Sequence, residues 1–293
     1  MLESVGSSGG ANGGIVVAHY AGTYFGVRQA LDIDRIRLAI ARAAESGEID
    51  QWTESVLLAG LLSAASECAF SAGKHYAQPH RIRSGKDLSF IYSRIVADRS
   101  KAVPELFAAR VAQIVAAATA AGPGHAAERL TFEELRDAPD LLGRVDVVYA
   151  DPPYTAQQYS RFYHVPEVIC RYEVPTLQTV HGRVTRGLYP VNRFKSRFCS
   201  RRLAGEALRD LCAFARHHKA ALLLSYSASR SGSTGNQRSI ELGDLRTILR
   251  EAFGRDVEER ELTAVTYRQF NAGPTSVRDR ADVELLFKAG LGA

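Results

Sequence analysis

The sequence predicts an α/β fold, a sheet with parallel strands preceded by a block of helices. Three observations carry this. Residues 146–150, Asp-Val-Val-Tyr-Ala, form a short apolar run of the kind that makes a buried parallel strand. The run halts at Asp151-Pro152-Pro153-Tyr154, because proline cannot donate to a sheet ladder. A second run, residues 220–227, reads Ala-Ala-Leu-Leu-Leu-Ser-Tyr-Ser, a buried strand ending in polar residues. Asp151 thus falls at the carboxyl end of a strand expected to be central, where open α/β sheets place their ligands.

The elements follow in order. Residues 1–14 are rich in Gly and Ser and read as a flexible start; they have neither a preceding strand nor phosphate-cradle spacing. Ile33, Ile36, Ile40 and Ala44 share one helical face, with Asp32 or Asp34 as cap or first-turn charge and Gly47 as the stop. Val56, Leu57, Leu58, Leu61 and Leu62 make residues 53–70 a helix apolar on most sides, hence buried. Pro104 suits the first turn of a third helix. Its stripe of Phe107, Val111, Ile114 and Val115 ends at Gly122-Pro123-Gly124. Residues 125–132 are expected to form the next strand. Residues 203–217 and 242–253 read as helices. Residues 257–270 and 282–288 read as two strands across a Gly273-Pro274 turn region, suggesting an antiparallel sheet edge.

Composition sets bounds. The 293 residues suffice for one large domain or two small ones. A net charge of +5 permits nucleic-acid binding without demanding it. Cys68, Cys170, Cys199 and Cys212 show no CxxC pairing and no His at zinc-ligand spacing. Reduced thiols, no metal site and a cytoplasmic location are therefore expected. No signal-peptide pattern opens the chain, and no apolar run is expected to reach a membrane span.

Context raises the proline motif above an ordinary turn. After it come Gln158-Tyr159-Ser160-Arg161-Phe162-Tyr163-His164-Val165 and Arg171-Tyr172-Glu173, then Leu224-Ser225-Tyr226; before it come Tyr24-Phe25, Ala30, Ile33-Asp34 and Ile36-Arg37. On these residues the chain resembles the D12-class DNA adenine-specific amino-methyltransferases, whose motif is Asp/Asn/Ser-Pro-Pro-aromatic after a strand. The resemblance runs from about Thr23 onward. It implies a Rossmann-like S-adenosylmethionine-dependent methyltransferase core with a helical insertion. It also implies catalytic roles for Asp151, Pro152, Pro153 and Tyr154. The exocyclic amine of a base is a poor nucleophile, its lone pair delocalised into the ring. Hydrogen bonds accepted by the Asp151 carboxylate and the Pro152 carbonyl favour a pyramidal nitrogen and strengthen as charge develops on it. The base must leave the duplex to be reached, and Tyr154 would stack on it, a contact worth about 1–3 kcal/mol.

The family's cofactor residues are matched less well. Its preceding strand ends in an Asp-Phe-like pair; the corresponding pair here is Thr131-Phe132, which with Asp151 is the candidate cofactor-binding set. The family also begins with a strand and a Phe-x-Gly-x-Gly-like turn, and the first twenty or so residues cannot supply a βαβ unit of about thirty residues. The core is thus expected to be incomplete at its N-terminus. Three outcomes are open: a split enzyme completed by a second chain, a truncated product, or a silent DNA-binding relative. An unpaired sheet edge would be sticky. The expected division is 1–22 flexible, 23–100 helical and target-recognising, and 101–293 catalytic.

The expected partner is double-stranded DNA, with adenine N6 as the target and cytosine N4 as the alternative; a companion restriction endonuclease fits the same reading. Residues 181–202 hold seven Arg or Lys and no Asp or Glu, with Tyr189, Phe194 and Phe198 interleaved. Such a stretch suits phosphate contact, with a merely solvated charged loop as the alternative. The candidate DNA-binding residues are Tyr159, Arg161, Arg183, Arg186, Arg193, Lys195 and Arg197. A second basic loop holds Lys74, His80, Arg81, Arg83 and Lys86 with Tyr76. It is a candidate DNA-facing loop, with a solvated basic loop as the alternative. The Gly/Ser-rich residues 229–236 are expected to be mobile, and His164 and His181 are expected to be structural or DNA-backbone histidines rather than catalytic ones.

Overall fold

The computed structural model describes residues 14–71, 75–79, 88–138, 143–227, 238–267 and 280–290. In chain order the elements begin with α1 (Ile15–Tyr20), α2 (Val27–Glu45), α3 (Gln51–Cys68), α4 (Leu88–Arg99) and α5 (Val103–Ala121). Next come α6 (Phe132–Arg136), β1 (Val147–Ala150), α7 (Ser160–Arg171), β2 (Thr179–Val180) and β3 (Arg183–Val184). The chain closes with α8 (Ala204–His217), β4 (Ala221–Ser227), α9 (Leu242–Phe253), β5 (Val257–Tyr267) and β6 (Arg280–Ala289). Two compact units result: residues 1–124 with 161–193, and residues 125–160 with 194–293. They cut across the three-part division read from the sequence, because 161–193 return to the helical unit.

The helical unit is built around α2. Asp34 does not cap its own helix. It sits mid-helix, almost fully buried. Its carboxylate accepts from Val16 N at 3.0 Å, Val17 N at 2.9 Å and Tyr172 Oη at 2.7 Å. It thereby satisfies the free N–H groups that open α1. So residues 15–20, expected to belong to a flexible start, are a helix whose Val16 and Tyr20 enter the core. Helix α3 starts at an Asp50 cap, its side chain accepting from Thr53 N at 2.8 Å. It meets α5 at Gly60, where a Cβ would lie 2.5 Å from Val111 Cγ2. Helix α5 ends at Gly122, φ 75°, as its sequence implies. Contrary to expectation, α5 is by length and composition alone long and apolar enough to cross a membrane, at mean hydropathy 1.2. Alanine supplies much of that apolarity, and Phe107 and Leu106 pack on the core.

The second unit holds a four-stranded mixed sheet, order β1-β4-β6-β5. β1 and β4 are parallel, with Val147 opposite Ala221 and Ala150 opposite Leu224. β6 runs antiparallel to both β4 and β5. Helices α8 and α9 cover the sheet through Leu208, Leu211, Leu245, Ile248 and Leu249. Two expectations are corrected here. β1 is an edge strand among the described residues, so it is parallel but not buried: Val147 is 52% exposed and Tyr149 64%. Residues 125–132 are not a strand. Thr131 instead caps α6 in a box with Glu134, its hydroxyl accepting from Glu134 N at 3.1 Å while Glu134 Oε2 accepts from Thr131 N at 2.7 Å. The Gly273-Pro274 turn and residues 229–236 lie outside the described residues.

Candidate active site

Asp151 leaves the carboxyl end of β1 one residue past the Ala150–Leu224 pair. It is exposed and has no hydrogen-bond or ion-pair partner among the described residues. Pro152 and Pro153 turn the chain and pack with Phe198, Leu208, Leu224, Tyr226 and Ile240 around a cavity of about 10 Å³. The backbone beyond is pinned, with Ser239 N donating to Tyr154 O at 3.0 Å and Thr155 bridging Arg238.

The Tyr154 ring is oriented by two neighbours. The Arg238 guanidinium lies 4.6 Å from its centroid, and the Tyr226 ring meets it at 5.9 Å and 69°. Each neighbour is itself tied down: Arg238 Nη2 donates to Ser227 Oγ at 2.6 Å, and Tyr226 Oη donates to Ile240 O at 2.7 Å. Tyr226 therefore lies beside the Tyr154 ring, whereas Ser225 is engaged with Glu284 at 2.6 Å. Arg238 was not legible in the sequence. Its approach to Tyr154 depends on pairing between segments more than eighty positions apart, and only the Leu-Ser-Tyr strand signal lies near it.

The basic candidates divide. In the sheet-bearing unit Tyr159 and Lys195 are exposed. Arg197 is not a free cation. It pairs with Asp210 at 2.8 Å, Glu206 at 3.1 Å and Glu133 at 3.3 Å, and its bond to Asp210 pushes its pKa up. Grouping it with the other arginines overlooked acids that reach it from α6 and α8. In the helical unit Arg183 and Arg186 are exposed, and Arg161 and Arg193 both lie against Tyr189. Tyr76, expected in an exposed loop, is buried edge-on to Tyr24 at 5.3 Å. Lys74, His80, Arg81, Arg83 and Lys86 lie outside the described residues. His164 is structural in setting, being buried among Tyr20, Tyr24 and Tyr189.

Among known proteins the class this chain is similar to is that of DNA modification methyltransferases. It is 28% identical over 207 residues to the Type II methyltransferase M.FokI of Planomicrobium okeanokoites, covering 70% of this chain and 27% of the relative. It is 26% identical over 272 residues to the modification methylase LlaI of Lactococcus lactis subsp. lactis, covering 92% and 37%. The modification methylase StsI of Streptococcus sanguinis is 28% identical over 153 residues, covering 52% and 21%. These matches span 21% to 37% of the relatives' own lengths. No family model and no solved structure matches the chain.

Proposed function

We propose that this chain carries the base-binding half of a DNA methyltransferase site that modifies adenine N6. The observation that carries the reading is Asp151-Pro152-Pro153-Tyr154 at the end of β1, with the carboxylate unpaired among the described residues and the aromatic ring held in place. An extruded base stacks on Tyr154, and its amino group donates to the Asp151 carboxylate and the Pro152 carbonyl. Both acceptors gain strength as the nitrogen turns cationic, which lowers the barrier without a separate strong base. Cytosine N4 presents the same amine and is the substrate alternative. Duplex DNA as partner, a companion restriction endonuclease and a cytoplasmic location belong to the same reading.

S-adenosylmethionine would supply an electrophilic methyl group. Two cavities of the sheet-bearing unit are too small for it. The cavity beneath the prolines has room for one water. The groove beside α8 and α9, about 220 Å³, is below the usual size of a small-molecule site. Thr131, the residue in the family's cofactor position, spends its hydroxyl on a helix cap. This favours a second reading, in which the chain is one part of a split enzyme or a silent DNA-binding subunit. The edge position of β1 among the described residues, with Val147 and Tyr149 exposed, supports it.

The test is methyl transfer to duplex DNA with wild type and Asp151→Ala. The variant should lose activity by about 10²-fold or more, with stability changed by no more than about 0.5 kcal/mol because Asp151 is exposed and unpaired among the described residues. Full activity in the variant sinks the assignment, and a wild-type chain inactive alone but active with a companion chain selects the split reading.

A further inference from the structure

We propose that Arg161 and Arg193, set against the single ring of Tyr189, form a phosphate-oxyanion site in the helical unit. The inference deepens the DNA reading and rests on it for the source of the phosphate.

The geometry is specific to this pair. The Arg161 guanidinium lies 5.1 Å from the Tyr189 centroid and that of Arg193 lies 4.7 Å from it. Tyr189 is nearly fully buried and cannot drift; its hydroxyl donates to Ala77 O and accepts from Arg161 Nη2 at 3.1 Å. Arg193 is fixed from its own side, Nε donating to Pro190 O at 3.2 Å and Nη2 to Gln178 Oε1 at 3.3 Å. All of these acceptors are neutral. Neither guanidinium forms an ion pair with a carboxylate among the described residues, and most of their N–H donors have no acceptor there. Arg197, a few residues on, has three acids.

Two like charges held on one ring cost energy, and the Arg193 pKa is pulled down by burial first and then by Arg161. The nearby His164 adds no charge at neutral pH, since burial lowers its pKa to about 4. A doubly charged, pre-oriented pair with no acid partner among the described residues is complemented by an oxyanion able to accept from both forks. A DNA phosphodiester and free inorganic phosphate share that chemistry.

Two measurements on the full chain test this. First, binding of a fluorescent duplex is followed between about 50 and about 200 mM salt for wild type, Arg161→Gln/Arg193→Gln and Arg161→Lys/Arg193→Lys. If the site holds DNA phosphate, the Gln pair flattens the slope of log K against log salt by about 0.9 for each phosphate it no longer neutralises, and the Lys pair keeps most of it. Duplex binding with an unchanged slope in a folded Gln pair overturns the site while leaving the DNA reading standing. Second, inorganic phosphate is titrated into wild type and the Arg Nε–H resonances are followed by NMR, which needs no variant. Shifts at Arg161 and Arg193 without duplex binding support the oxyanion site with free phosphate as its source, and remove the DNA reading. Neither duplex binding nor shifts overturns both.

Discussion

At the residue scale, buried polar groups decide more than the exposed ones the eye is drawn to. Asp34 would be a costly buried carboxylate if unpaired, and it is tolerated because three donors converge on it. His164 is the opposite case. Its Nδ1 lies 3.2 Å from Arg161 O, but burial among tyrosine rings disfavours the charged form and lowers its pKa from 6.5 to about 4. The unfolded chain therefore takes up a proton below pH 6.5 that the folded chain refuses until about pH 4. Stability contributed by neutral His164 is present in full above pH 6.5 and falls as pH drops through that window, at up to about 1.4 kcal/mol per pH unit. Denaturant unfolding of His164→Gln at several pH values should show this slope reduced; an identical pH profile in the variant would refute the account. In the sequence His164 reads as a structural or DNA-backbone histidine, and its burial among Tyr20, Tyr24 and Tyr189 depends on segments distant in the chain.

At the element scale, local patterns predicted helices α2, α3, α5, α8 and α9 and missed α1 and α6. Helix α9 falls on residues 242–253, where its periodicity places it. Residues 125–132 read as a strand, but the Thr131–Glu134 capping box commits the chain to a helix start, a signal that was present in the sequence and that the strand reading overlooked. The α3–α5 pair rests on close approach at Gly60. Gly60→Val should overpack it and cost about 1–3 kcal/mol, and Val111→Ala in the same chain should recover part of that loss. A double-mutant cycle by chemical denaturation measures the coupling, and additive effects would show that the two residues do not share the space.

At the scale of the whole molecule, the exposed flank of β1 is the feature with consequences. Val-Val-Tyr-Ala is a composition suited to a strand with neighbours on both sides. It carries no lysine, proline or bulge to blunt an edge, and Val147 and Tyr149 face solvent. The chain alone should therefore self-associate at micromolar to millimolar concentration, and Val147→Lys/Tyr149→Lys should relieve this. Sedimentation velocity distinguishes the cases: a wild type that stays monomeric across the range would show that the edge is not adhesive.

From the sequence alone came the local facts: strands β1 and β4, the amphipathic helices, the strand-ending Asp151-Pro152-Pro153-Tyr154, and the similarity in kind to DNA methyltransferases that the comparisons support. These are legible because periodicity and proline chemistry act over a few residues. Tertiary structure alone decided that β1 lies at an edge among the described residues, that Arg197 is neutralised by three acids, that Arg238 orients Tyr154, and that Arg161 and Arg193 share one ring. Each of those depends on which distant segments meet, and the free energy of such meetings lies in pairings between residues far apart in the chain, which no local pattern encodes.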